Sequence, residues 1–200
     1  MFTGIMYIYI LGGFLGSGKT TLLMRLASMY GKKEARTVIL VNESGEIGVD
    51  GATLKADGYD AIELTDGCIC CSLSGALQSA LKNIKRDIDP DVMIIEPTGF
   101  ALPFRVKELV AASKIDPEEI CIIGVVDVQR FDDLIRKKEE FFKRQMFAAD
   151  LILVNKCDIA APEKMGAAIK WLKTEYPDKP MIPVSAKTGE NMDKIYEMMK

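Results

Sequence analysis

Gly13-Phe14-Leu15-Gly16-Ser17-Gly18-Lys19-Thr20 arranges glycines, a lysine and a hydroxyl in the order G-x-x-x-x-G-K-T. Glycines let a backbone curl until several N–H groups face one anion, and a helix starting at the end of the turn adds its positive dipole end. Lys19, at the surface of such a loop, is set to neutralise β- and γ-phosphate charge, and the Thr20 hydroxyl to ligate Mg²⁺. The apolar run Tyr7–Leu11 before the motif and the helical spacing after it supply the strand and helix that it requires. The phosphate-binding set is therefore Gly13 to Thr20 together with Thr21.

A second constellation, Asn155-Lys156-Cys157-Asp158, follows the apolar run Leu151–Val154. A carboxylate at Asp158 can accept from guanine N1–H and the 2-amino group, whereas adenine would leave it unpaired. The Lys156 stem is expected along the base, with Asn155 bracing the loop. Ser185-Ala186-Lys187 follows the run Met181–Val184, and its Ala186 N–H is expected to meet guanine O6. These residues select guanine, so the expected ligands are GTP and GDP.

Two stretches have the character of switches. Ile94-Ile95-Glu96-Pro97-Thr98-Gly99 ends an apolar run on a carboxylate placed to share Mg²⁺ with Thr20, and the Gly99 N–H is placed to sense a γ-phosphate. Asn42–Asp50 is a carboxylate-rich loop carrying Glu43 and Glu46. Lys19, Glu43, Glu96 and Gly99 are the residues expected to act in hydrolysis. Phe100 follows Gly99, where some GTPases carry a water-positioning glutamine. Intrinsic turnover is then expected to be slow, on the order of 10⁻⁴–10⁻² s⁻¹, unless a partner assists.

Cys68-Ile69-Cys70-Cys71 puts three of the five cysteines within four residues, too tight for an ordinary disulfide framework. Soft thiolates suit Zn²⁺ or a similar ion such as Co²⁺ or Ni²⁺. In an extended segment Cys68 and Cys70 share one face and Cys71 takes the other, so all three ligate only if the backbone turns near Gly67. With no histidine in the chain, Glu43, Glu46, water or a partner would complete the shell. The alternatives are thiols that pack against the nucleotide loop, and a redox pair, which the close spacing would strain. Cys121 lies in an apolar strand and reads as core.

Such loops need a scaffold. Apolar runs at Tyr7–Leu11, Val38–Val41, Ile62–Leu64, Val92–Ile95, Ile120–Val126, Leu151–Val154 and Met181–Val184 read as strands. Helical spacing covers Thr20–Met29, Ser74–Arg86, Pro103–Ala112, part of Phe131–Ala148, Pro162–Glu175 and Asn191–Lys200, the last with Ile195, Met198 and Met199 on one apolar face. Strands alternating with helices predict an α/β, three-layer P-loop sandwich with a mostly parallel sheet, and residues 1–200 read as one domain. The net charge of −3 and the lack of a basic block argue against nucleic acid and membrane partners, and the chain reads as cytoplasmic.

Gly12–Leu22, Asn42–Asp50, Gly67–Cys71, Glu96–Gly99 and Asn155–Asp158 together resemble the CobW family of metal-related GTPases, relatives of UreG and HypB. The resemblance implies a SIMIBI-class fold, delivery of a metal or metallocofactor to a client enzyme or cofactor protein, and a nucleotide-dependent homodimer. It also implies nucleotide contacts from Cys71-Ser72-Leu73-Ser74. Typical members add a C-terminal domain and a histidine-rich stretch, neither expected in this chain, and Ser44 stands where phenylalanine is usual. A regulatory GTPase without metal cargo, activating a cofactor-dependent (for example corrinoid) partner, is the alternative reading.

Overall fold

The computed structural model of the chain describes residues 5–42, 60–64 and 74–199. Glu43, Glu46, Cys68, Cys70 and Cys71 lie outside the described residues, and so does the first switch beyond Asn42.

Among the described residues seven strands, β1 (Tyr7–Gly12), β2 (Thr37–Asn42), β3 (Asp60–Leu64), β4 (Val92–Glu96), β5 (Glu119–Asp127), β6 (Leu151–Asn155) and β7 (Met181–Val184), form one sheet in the order β3-β2-β4-β1-β5-β6-β7. Every neighbouring pair is parallel. The described helices are α1 (Lys19–Gly31), α2 (Ser74–Asp87), α3 (Pro103–Ala112), α4 (Phe131–Met146), α5 (Pro162–Glu175) and α6 (Met192–Met198).

Parallel strands covered on both faces read as unbroken apolar runs, and alternate residues feed opposite layers. Ile8 and Ile10 of β1 pack with Leu81 of α2, Val106 of α3, Phe142 of α4 and Leu172 of α5. Tyr9 and Leu11 pack on the other face with Leu22 and Leu26 of α1 and Ile195 of α6. This is the expected three-layer sandwich.

Several strands run one residue past their apolar stretch onto a polar one. β4 ends on Glu96, β5 on Asp127 and β6 on Asn155, because the ladder continues through the pairs Val41–Glu96 and Asp127–Asn155. Pairing thus fixes three polar side chains along the carboxyl edge of the sheet. The loop after β1 opens there, where β4 and β5 leave on opposite sides, the position at which open α/β sheets bind ligands.

The last helix departs from expectation. It is shorter, Met192–Met198, and its buried face is Met192 and Ile195 with Met199 just beyond, whereas Met198 is 51% exposed. The chain leaves the helix at Met199, whose carbonyl accepts from the buried Tyr9 hydroxyl at 2.6 Å. Met192, Ile195 and Met199 stand at i, i+3 and i+7 spacing on one face, and Met198 falls off it.

Candidate functional site

The turn between β1 and α1 is shaped by its glycines. Gly18 has φ +95°, a left-handed conformation costly for other residues, and a Cβ there would collide with the Asn155 amide. Around this turn Ser17 is buried, Leu15 and Gly16 are exposed, and Thr21 points outward.

Lys19 is not at the surface of the loop, as the sequence suggested, but 5% exposed. Its Nζ donates to the Phe14 carbonyl at 3.3 Å and lies 3.9 Å from Glu96 Oε1. The Thr20 hydroxyl donates to the same Oε1 at 2.9 Å. Burial pushes the Lys19 ammonium below its ordinary value, against the attraction of Glu96, with Arg130 adding to the lowering. Burial likewise pushes the Glu96 carboxyl up, against Lys19 and the Thr20 hydrogen bond. Each group is thus drawn toward its neutral form, the consequence of taking charge out of water.

Glu96 Oε2 and Ser17 Oγ are buried and have no hydrogen-bond partner among the described residues. An unpaired carboxylate oxygen beside a threonine hydroxyl is an oxygen donor set suited to a hard cation. These residues fit Mg²⁺.

Gly99 packs flat on the phosphate loop, a Cβ there falling 2.6 Å from the Leu15 nitrogen. The Ala101 N–H donates to the Thr98 carbonyl at 2.9 Å, closing a turn with Gly99 and Phe100 in the middle. Phe100 stands at the tip, 75% exposed.

At the base end Asn155 is 2% exposed and joins two loops. Its Nδ2 donates to the Ser17 carbonyl at 2.8 Å, and its Oδ1 accepts from the Ala186 N–H at 2.9 Å. The brace therefore extends from the phosphate loop to the Ser185–Lys187 loop, and the N–H expected to meet guanine O6 already has an acceptor in Asn155. Arg25 of α1 donates to the Ala186 and Lys187 carbonyls. Ser185 is buried, Lys187 exposed, and Asp158 stands in solvent on the short turn Cys157–Ile159.

Lys156 adopts φ +70° and its ammonium reaches Asp127 Oδ2 at 2.7 Å. Asp127 also receives Arg130 Nε at 2.8 Å and the Gln129 N–H at 2.9 Å. Burial alone would raise its carboxyl, but the bonds from Lys156 and Arg130 outweigh it and hold the group below its ordinary range. Arg130 reaches on to the Leu15 carbonyl. Sequence reading missed Asp127 and Arg130. The signal was present, since Asp127 ends an apolar strand just as Glu96 does.

Gln145 of α4 was also missed. It is fully buried, and its Nε2 donates to the Gly99 carbonyl at 2.7 Å and the Ala101 carbonyl at 3.3 Å. Its signal was a polar residue on the apolar stripe of a helix, between Phe142 and Met146.

The profile of the CobW/HypB/UreG nucleotide-binding domain matches residues 7–183. The chain is 35% identical over 175 residues to the zinc chaperone YeiR of Escherichia coli strain K12, covering 86% of this chain and 53% of that protein. It is 34% identical over 214 residues to the zinc chaperone CobW of Sinorhizobium sp, covering 90% and 59%. The chain thus spans a little over half the length of these curated relatives. Among solved structures it resembles the Zn(II)-bound YjiA GTPase of E. coli, at 25% identity and a TM-score of 0.64 over 90% of this chain and 57% of that one.

Proposed function

The chain belongs to the CobW/HypB/UreG family of nucleotide-binding domains, and from that premise we propose that it binds and hydrolyses GTP with Mg²⁺ and serves metal or metallocofactor delivery to a client enzyme. The observation that carries the nucleotide half is the Lys19–Thr20–Glu96 group at the start of α1, with Lys19 and Glu96 buried, tied through Asn155 to the base-reading loops. Thr20 and Glu96 would hold Mg²⁺, which supplies charge neutralisation on the β- and γ-phosphate oxygens. Lys19 offers its ammonium to the same phosphates. Asp158 reads the base edge, and Gly99 presents its N–H to the γ-phosphate. Phe100 offers no group to orient water, so turnover is slow without a partner.

Cargo is read from the Cys68-Ile69-Cys70-Cys71 motif, from the family, and from relatives whose names describe zinc chaperones. Glu43 or Glu46 of the first switch would complete the metal shell. Moving that switch then changes the metal site, and the effect is reciprocal by linkage. A homodimer formed in one nucleotide state is part of the same proposal.

The test is a Zn²⁺ or Co²⁺ titration of wild type and Cys70→Ala, each without nucleotide, with GDP, and with a non-hydrolysable GTP analogue. Expected are stoichiometric binding, thiolate charge-transfer absorption with Co²⁺, and roughly a five- to 150-fold affinity change between nucleotide states. Metal binding indifferent to Cys70→Ala removes the cargo site. GTP hydrolysis in a chain that retains no metal leaves the regulatory GTPase, the reading that the absence of histidine favours.

A further inference from the structure

The turn Thr98–Ala101 carries the proposed γ-phosphate sensor, yet the groups that hold it come from a helix whose sequence bears no nucleotide motif. α4 touches both halves of the phosphate site. Phe141 meets Phe14 of the phosphate loop edge-on at 5.4 Å and faces Phe100 of the turn at 6.4 Å, while Phe142 stacks on Phe14 at 6.3 Å. One helical turn further along, Gln145 donates to the Gly99 and Ala101 carbonyls.

The chemistry of the Gln145 contact is one-directional. Both facing groups are carbonyls, which only accept, so the amide nitrogen must be the atom between them. Its oxygen is then left buried with no partner among the described residues. A helix face packed for apolar contact alone would carry leucine or methionine here, which brings no orphaned oxygen. The glutamine is explained by what its nitrogen does. It sets the plane of the Gly99–Phe100 peptide and fixes a turn that already lies flat against Leu15.

We propose that Gln145 is the positioning residue of the second switch, its amide registering the Gly99–Ala101 turn against the phosphate loop so that discrimination of GTP from GDP depends on α4. This rests on the reading of Gly99 as the γ-phosphate sensor. α4 runs through the short link 147–150 into β6, whose end carries Asn155, so base-reading loop and switch share a neighbouring element.

The test compares wild type with Gln145→Met, which keeps bulk and removes the donor, and Gln145→Asn, which keeps the amide but withdraws it by one methylene. Affinity for GDP and for a non-hydrolysable GTP analogue, single-turnover hydrolysis, and thermal midpoint are measured for each. Both variants should keep GDP affinity within about twofold and lose about tenfold or more in the preference for the GTP analogue, the order expected when the donor to the Gly99 and Ala101 carbonyls is withdrawn, with kcat falling in step. If Gln145→Met does not fold, Gln145→Asn carries the test alone. Loss of GDP and GTP affinity together with the midpoint makes Gln145 a purely structural residue and overturns the proposal. Variants that discriminate and turn over as wild type does overturn Gln145's part alone. A wild type that does not distinguish GTP from GDP removes the reading of Gly99, and this proposal with it.

Discussion

At the proposed phosphate end, the buried Lys19 and Glu96 meet beside the half-buried Thr20, and both charged groups are drawn toward neutrality. At the base end, the residue that joins the loops is a buried neutral amide, Asn155, while the carboxylate expected to read guanine, Asp158, stands exposed. Burying charge costs several kcal/mol per ion unless partners compensate, and Glu96 Oε2 still lacks one among the described residues. The phosphate end therefore holds unfilled bonding capacity that a cation and phosphates would satisfy, which favours tight binding. At the proposed base end the Asn155 amide joins the loops, the Lys156–Asp127 ion pair and Arg25 support them, and Asp158 stays hydrated, an arrangement suited to discrimination more than to strength.

Four measurements break or sharpen that contrast. The largest effect belongs to Lys19→Ala, which should lower GTP affinity by roughly 100-fold or more, since charge-assisted bonds contribute about 1.5–3 kcal/mol each. Nucleotide titration reads it, with circular dichroism to show that the fold persists. A mutant with wild-type affinity would mean the phosphates lie elsewhere.

Asn155→Ala comes next, and its effect falls on stability. It leaves the Ser17 carbonyl and the Ala186 N–H buried without their partner, at roughly 1–3 kcal/mol for each unsatisfied group. Urea unfolding should show a loss of about 2–4 kcal/mol. A loss well under 1 kcal/mol would show that the two loops hold their places without the amide.

Asp158→Asn should act on recognition alone, because the side chain is exposed and its removal unpairs nothing buried. GTP should weaken by about ten- to a hundredfold, while XTP, with a carbonyl in place of the 2-amino group, should bind the mutant better than GTP does. Stability should stay within about 0.5 kcal/mol of wild type. An unchanged preference for GTP over XTP would remove Asp158 from the base site.

The smallest effect is a pH slope. Glu96 holds its proton to higher pH when folded, so over that window the folded state binds more protons than the unfolded one. Stability should therefore fall as pH rises from the ordinary carboxyl value of 4.5 through the raised one. Lys19 works with the opposite sign: its folded pKa is lowered, so its contribution grows as pH climbs toward the ordinary 10.5. Glu96→Gln should abolish the acidic slope and leave the thermal midpoint at neutral pH equal to or above wild type. Persistence of the slope in that variant would assign it to another carboxylate.

The backbone of this protein was legible from its sequence because strand and helix periodicity are local. Val92–Ile95 and Met181–Val184 announce themselves by runs of apolar residues that only a covered parallel sheet can use, and the phosphate loop by glycines whose conformations other residues avoid. Lys19, Thr20 and Glu96 could be named for the same reason, each standing at a strand or helix end whose position the pattern dictates. What pattern could not decide is which side chains meet across the chain. Asn155 binds Ser17 from 138 residues away, Gln145 holds Gly99 from 46, and Arg130 reaches Leu15 from 115. Periodicity reports which face a residue occupies. The partner waiting on that face is set by strand order and by the loops that order brings together, and these exist only once the sheet has formed.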